Sequence, residues 1–244
     1  MIVNVTESGW EVIYHRAHAL LAAQIASQWP LDRAPRLYET IAAISHHDDL
    51  EREWEDEAKI TEAGAPQDFT LDQGVSVKQL THLVEGARYR SRWVALLISM
   101  HVCFLHQQQA KSSKDLARFL EKQQDLQQHW RKAMGVTPEE ASHAYEFMRW
   151  CDRLSLILAQ RKIPAAGRSL EITRGFENQR YDLQQIDAPH RVTVQPWPFA
   201  ASEFVVTVEA QYLSDLKYNS SQALEMALRE KAEVRDIQWT FAAS

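Results

Sequence analysis

Three histidines and two aspartates in this 244-residue chain stand where the helical period turns polar groups inward. His18 falls in line with Leu21, Ile25 and Trp29, a spacing that builds one apolar stripe, so its imidazole faces a core. In the next helical segment Leu37, Ile41, Ile44 and Asp48 form a stripe with His47 beside it, whereas His46 sits over Glu39 on the side read as solvent-facing. Farther on, Ala141, Tyr145, Met148, Asp152, Ser155 and Ala159 align, which sets a carboxylate in the middle of a buried face. His101 is surrounded by Val94, Ile98 and Leu105.

Burying such groups alone is costly: roughly 2–7 kcal/mol for a neutral polar group, and far more for an isolated charge. Groups aimed into one core from four helices are therefore expected to pair with one another or to bind a divalent cation, which satisfies all of them at once. Imidazole with carboxylate suits manganese, iron, nickel, cobalt or zinc better than calcium, which takes oxygen ligands. Plainer readings stand beside this one. A lone buried histidine such as His101 also fits a hydrogen-bonded core residue, and "HHDD" at 46–49 also fits a solvated helix end. His15, in line with Ala19, Ala22 and Ala26, fits simple packing, and His82 and His106 fit surface or supporting positions.

The elements that must position these residues follow from the same periodicities. Trp10, Val12 and Tyr14 alternate after a turn at Glu7, Ser8 and Gly9, which predicts a short hairpin with residues 2–5. Helices are expected near 15–29, 35–49, 76–89, 91–109, 113–133 and 138–161. The last opens on "TPEE", with Thr137 as N-cap, Pro138 at the first helical position and Glu140 closing a capping box. Residues 55–75, with Gly64, Pro66 and Gly74, read as a long connection. Beyond "IPAAG" the alternation returns at 204–212 and 237–241, with a helix at about 220–232 between them. The expected fold is α+β and mainly α. It is one domain spanning 1–244, with a helical core at about 15–162. A strand-rich part at about 168–244 packs with the N-terminal hairpin as a small antiparallel sheet. Two separate domains are the alternative.

Composition narrows the partners. A net charge of −6 and a pI near 5.9 offer no electrostatic reason to bind a nucleic acid polymer or an anionic membrane. With 45% hydrophobic and 25% charged residues the chain can bury a sizeable core. Cys103 and Cys151, the only two cysteines, lie in apolar helical patterns, which argues against a disulfide framework and for a reducing compartment, hence the cytoplasm. The longest apolar run, 94–105, falls short of the roughly 20 residues a membrane span needs. The first residues lack the basic start and apolar core of a secretory signal.

The order His18, then His47-Asp48, then Asp152 within "WCDRLSLILA" resembles the H…HD…D signature of the HD-domain superfamily of metal-dependent phosphohydrolases. More closely, "HALLA", "HDD" followed by "EW", "DF", "ALLISMH" and "WPF" look like a bacterial family of uncharacterised proteins, over nearly the whole chain. The resemblance implies an HD-type helical bundle in which His18, His47, Asp48 and Asp152 hold a principal metal. His101 would serve a second ion or a phosphate oxygen. One or two divalent transition ions are implied, with a small phosphorylated molecule or nucleotide as substrate. Whether the chain forms a homo-oligomer stays open. Asp48 would ligate or bridge metal and Asp49 would orient the attacking water or accept its proton. Arg88, Arg90, Arg92 and Arg153 are candidates for phosphate contacts, because guanidinium matches phosphate oxygens as a fork. Trp54 is expected to wall the pocket. Asp49-Leu50-Glu51 departs from the small residue, glycine and basic residue that often follow HD in that superfamily. Two other classes fit the same ligands: a di-iron oxygenase of the HD fold, and a non-catalytic metal-stabilised or ligand-sensing protein.

Overall fold

A computed structural model describes residues 1–49, 59–71, 74, 76–173 and 178–244. Strands β1 (Ile2–Thr6) and β2 (Gly9–Ile13) form the expected N-terminal hairpin and lead directly into α1 (His15–Ala26). Then follow α2 (Leu37–His46), α3 (Val77–Arg88), α4 (Arg92–His106), α5 (Lys114–Met134) and α6 (Pro138–Ala159). The C-terminal part contributes β3 (Ser169–Glu171), β4 (Asp182–Gln185), β5 (Arg191–Gln195), β6 (Glu203–Leu213), α7 (Ser221–Glu230) and β7 (Glu233–Ala242). Helix α1 ends before 29 and α2 starts after 35, because Pro30 and Pro35 in the connection cannot supply backbone N–H groups to a helix. Serines 76, 91, 113 and 220 each accept a backbone N–H at a helix start, and the Thr137–Glu140 capping box of α6 is present.

The strands correct the expectation of a helical bundle with a small antiparallel sheet. All seven described strands join one sheet in the order β1-β2-β6-β7-β5-β4-β3. It is mixed, since β5 and β7 run parallel while every other pair is antiparallel, and it curls into half a barrel. The ten-residue β7 pairs with β6 along its whole length, and its C-terminal residues Thr240 and Phe241 also take Arg191 and Val192 of β5. The segments "SLE", "DLQQ" and "RVTVQ" are too short to alternate legibly, so their pairing is set by the strands already beside them.

Helices and sheet share one core. Trp29 lies 5.0 Å from Trp150 of α6 and 5.8 Å from Phe199, and Trp150 lies 5.5 Å from Tyr181, so aromatic rings bridge the two layers. The Gln24 side chain of α1 acts as a surrogate strand. Its amide donates to the Thr207 carbonyl at 2.8 Å, and its carbonyl accepts the Thr207 N–H at 3.0 Å. This caps the stretch of β6 beyond the end of β2.

A second tie is ionic. Glu11 of β2 is buried and accepts from two Arg161 nitrogens (3.0 and 2.6 Å), the Tyr212 hydroxyl (2.6 Å) and the Asn4 amide (3.0 Å). Burial opposes its charge, but these donors together hold its carboxyl below the usual range. The start of β2 approaches the end of β6 closely at Gly9, where a Cβ would stand 1.9 Å from the Leu213 carbonyl oxygen, so only glycine fits there. No helix among the described residues is long and apolar enough to cross a membrane.

Candidate metal centre

The inward stripes of four helical segments meet. His18 on α1, His101 on α4 and Asp152 on α6 surround the end of α2, where His47 is the C-cap and keeps helical backbone angles (φ −66°, ψ −24°). The helical phase therefore carries one residue past the last turn, which turns His47 inward beside Ile44. His18, His47 and His101 are all at most 3% exposed. The imidazoles of His18 and His47 lie 5.2 Å apart edge to face, and those of His47 and His101 lie 5.0 Å apart.

Hydrogen bonds determine which ring nitrogen is available on two of them. His47 Nδ1 lies 2.6 Å from the Ile44 carbonyl oxygen, which can only accept, so Nδ1 carries a proton and Nε2 is the free nitrogen. The Ser155 hydroxyl spends its hydrogen on the Asp152 carbonyl at 2.8 Å, so its oxygen accepts from His18 Nδ1 at 3.0 Å. Both Nε2 atoms then face carboxylates: His18 to Asp48 at 2.5 Å, and His47 to Asp152 at 3.2 Å and Asp48 at 3.6 Å. Such contacts are attractive only with positive charge between nitrogen and oxygen, whether a proton or a metal ion. Burial opposes charge on His47, yet the fields of Asp48 and Asp152 push its pKa up to about 10. Burial likewise opposes both carboxylates, but the neighbouring histidines, His47 foremost, hold Asp152 below the ordinary range and Asp48 well below it. His101 is the exception: burial and the charge of His47 push it down to about 4, so it stays neutral near pH 7.

Two ligand groups emerge, His18–His47–Asp152 and His47–Asp48–His101, each with one donor atom per residue and all donors within 4.8 Å of one another. The donor set fits a divalent transition ion. Its atoms are imidazole nitrogen and carboxylate oxygen, and the opposite nitrogens of His18 and His47 are fixed by supporting hydrogen bonds, as metal-binding histidines require.

All five expected ligands are brought together; the residues expected around them are not. Asp49 turns away from the cluster to His46 (2.9 Å), Arg16 (3.4 Å) and Arg90 (3.7 Å). His46 is half-buried in that ionic group, not simply facing solvent, and lies 3.2 Å from an Arg90 nitrogen. Arg88 and Arg92 are exposed at the end of α3 and the start of α4. Arg153 is half-buried and sits about 100° around α6 from Asp152. Trp54 lies outside the described residues, as does Leu50.

Several neighbours were not singled out from the sequence. Ser155 and Tyr145 were legible only as members of the α6 stripe, yet one fixes the tautomer of His18 and the other has its hydroxyl 3.5 Å from His101 Nδ1. Arg149, one turn before Asp152, holds its guanidinium 3.8 Å over the Phe104 ring. His15 stands beside the cluster, 6.1 Å from the His18 ring and 4.9 Å from that of Phe69, the aromatic of the "DF" pair.

The family described as "Protein of unknown function (DUF3891)" has a profile that matches residues 1–215. A search of curated proteins and a search of solved structures each returned no match.

Proposed function

The chain belongs to the DUF3891 family, and from the cluster described above we propose that it is a metal-dependent phosphohydrolase acting on a small phosphorylated molecule or nucleotide. The observation that carries this reading is the convergence of His18, His47, Asp48, Asp152 and His101 into two ligand groups that share His47. Their order along the chain, and the resemblance of that order to the HD superfamily, support the same reading.

When bound, a divalent transition ion supplies Lewis acidity, making water acidic enough to serve as a nucleophile near neutral pH. His18, His47, Asp48 and Asp152 hold the ion, and His101 serves a second ion or the substrate. Ser155 and the Ile44 carbonyl keep the imidazoles aimed. Asp49 is a positioning residue: its carboxylate gathers Arg16, Arg90 and His46 beside Asp48, adding cations at the edge of the site without entering the ligand groups.

Elemental analysis of purified protein, followed by a panel of phosphoesters and nucleotides with manganese, tests this. The expected result is bound transition metal and phosphate release, both lost in Asp152→Ala and metal retained in His46→Ala. Protein that binds no manganese, iron, nickel, cobalt or zinc at micromolar concentration overturns the reading. Iron-dependent oxygen consumption without phosphate release would replace it with an oxygenase, and bound metal with no turnover would leave a structural or sensing role.

A further inference from the structure

Beside the cluster α4 and α6 face each other, and Tyr145, Arg149 and Phe104 on these helices take no part in the ligand groups. Tyr145, Arg149 and Asp152 stand at i, i+4 and i+7 along α6, which places them on neighbouring positions of one helix face. His101 and Phe104 stand at i and i+3 on α4 and meet them. The Tyr145 hydroxyl lies 3.5 Å from His101 Nδ1, the Phe104 and Tyr145 rings are 6.3 Å apart, and the Arg149 guanidinium lies over the Phe104 ring at 3.8 Å.

Arg149 is half-buried, and among the described residues it has no carboxylate partner. Of the other arginines near the cluster, Arg16 and Arg90 are already held by Asp49. A guanidinium centred 3.8 Å over an aromatic ring is held there by cation–π attraction, which leaves its N–H groups able to donate. That is the geometry for bidentate binding of two oxygens of a phosphate.

Resting on the phosphohydrolase reading, we propose that Arg149, clamped on Phe104, binds the phosphate group of the substrate beside His101 and Asp152. Of the arginines expected from the sequence, Arg88 and Arg92 are exposed, Arg90 is held by Asp49, and Arg153 sits about 100° around α6 from Asp152. Phe104 is the positioning residue, since without its ring the guanidinium has no fixed plane.

Isothermal titration of the full chain with inorganic phosphate, in the presence and absence of manganese, tests the assignment. Expected is a Kd at least tenfold weaker in Arg149→Met than in wild type. Arg149→Lys, which keeps the charge but not the fork, should lie in between, Phe104→Leu should lose several-fold, and the exposed-surface control Arg118→Met should match wild type. Thermal unfolding identifies any variant that fails to fold, and Arg149→Lys then carries the comparison. A folded Arg149→Met protein that binds phosphate as wild type does, or a wild type that binds none at millimolar phosphate, overturns the proposal. Metal content, measured on the same samples, reports separately on the metal site: wild type without metal but with Arg149-dependent phosphate binding sinks the metal reading and leaves the anion site standing.

Discussion

Ser155→Ala is expected to weaken metal binding by roughly 10–100-fold while the protein stays folded, the range seen when a residue supporting a metal-binding histidine is removed. The Ser155 oxygen accepts from His18 Nδ1 at 3.0 Å, and the His18 ring is 0% exposed, so water cannot replace the lost acceptor. A buried donor left without an acceptor costs about 1–3 kcal/mol. At 1.4 kcal/mol per tenfold this is about 5–150-fold in affinity if the cost falls on the metal-bound state. The alternative is for the proton to move to Nε2, which removes the donor pair that faces Asp48 and weakens binding by another route. Zinc or manganese titration against a competing chelator measures the change, and thermal unfolding of metal-free protein measures how much is lost from the fold itself. A folded Ser155→Ala protein whose metal affinity lies within threefold of wild type would refute the argument that this hydroxyl sets the tautomer of His18.

Other expectations concern the framework that holds the site. Glu11→Gln should destabilise the protein by about 2 kcal/mol, the scale of hydrogen bonds to a charged group. Because the folded-state pKa of Glu11 is depressed below its ordinary value of 4.5, that contribution is complete above that pH and is lost as pH falls through the folded value. Urea unfolding of both proteins from pH 7 to pH 3 should therefore show their difference shrinking in acid; a constant gap would remove Glu11 as the source. Gln24→Ala should cost about 1–3 kcal/mol, since it leaves the N–H and carbonyl of Thr207 uncapped, and an unchanged melting temperature would show that water replaces the amide there. Thr137→Ala, which removes the hydroxyl half of the capping box, should cost about 1 kcal/mol by the same measurement, with no effect on metal content.

The clustering of His18, His47, His101, Asp48 and Asp152 was largely legible because each of them is turned inward by a local rule. A helical stripe says which way His18 and Asp152 face from nothing more than the residues three and four places away, and the rule held even for His47, one residue beyond the end of α2. The capping box in "TPEE" and the alternation at 204–212 and 237–241 were readable for the same reason: each is satisfied within a few residues of itself.

What surrounds the cluster was not readable in this way. The helical period orients a side chain about its own axis but does not say which other axis it meets. That Asp49 turns to Arg16 and Arg90, and that Arg149 lies over Phe104, depends on where α1, α3 and α4 come to rest, which is set by the whole core. The sheet shows the same division more strongly. Residues 169–171, 182–185 and 191–195 carry too little pattern of their own to announce a strand, and they become strands because β7 and then each other offer an edge to pair with. By itself, then, the sequence determined the inward-facing histidines and aspartates, the helices that present them and the two longest of the described strands. Only the tertiary structure decided the extent and mixed direction of the sheet, the neighbours of each clustered side chain and the stacking of Arg149 on Phe104, because those depend on pairings between segments far apart in the chain, whose closing cost no local pattern can reveal.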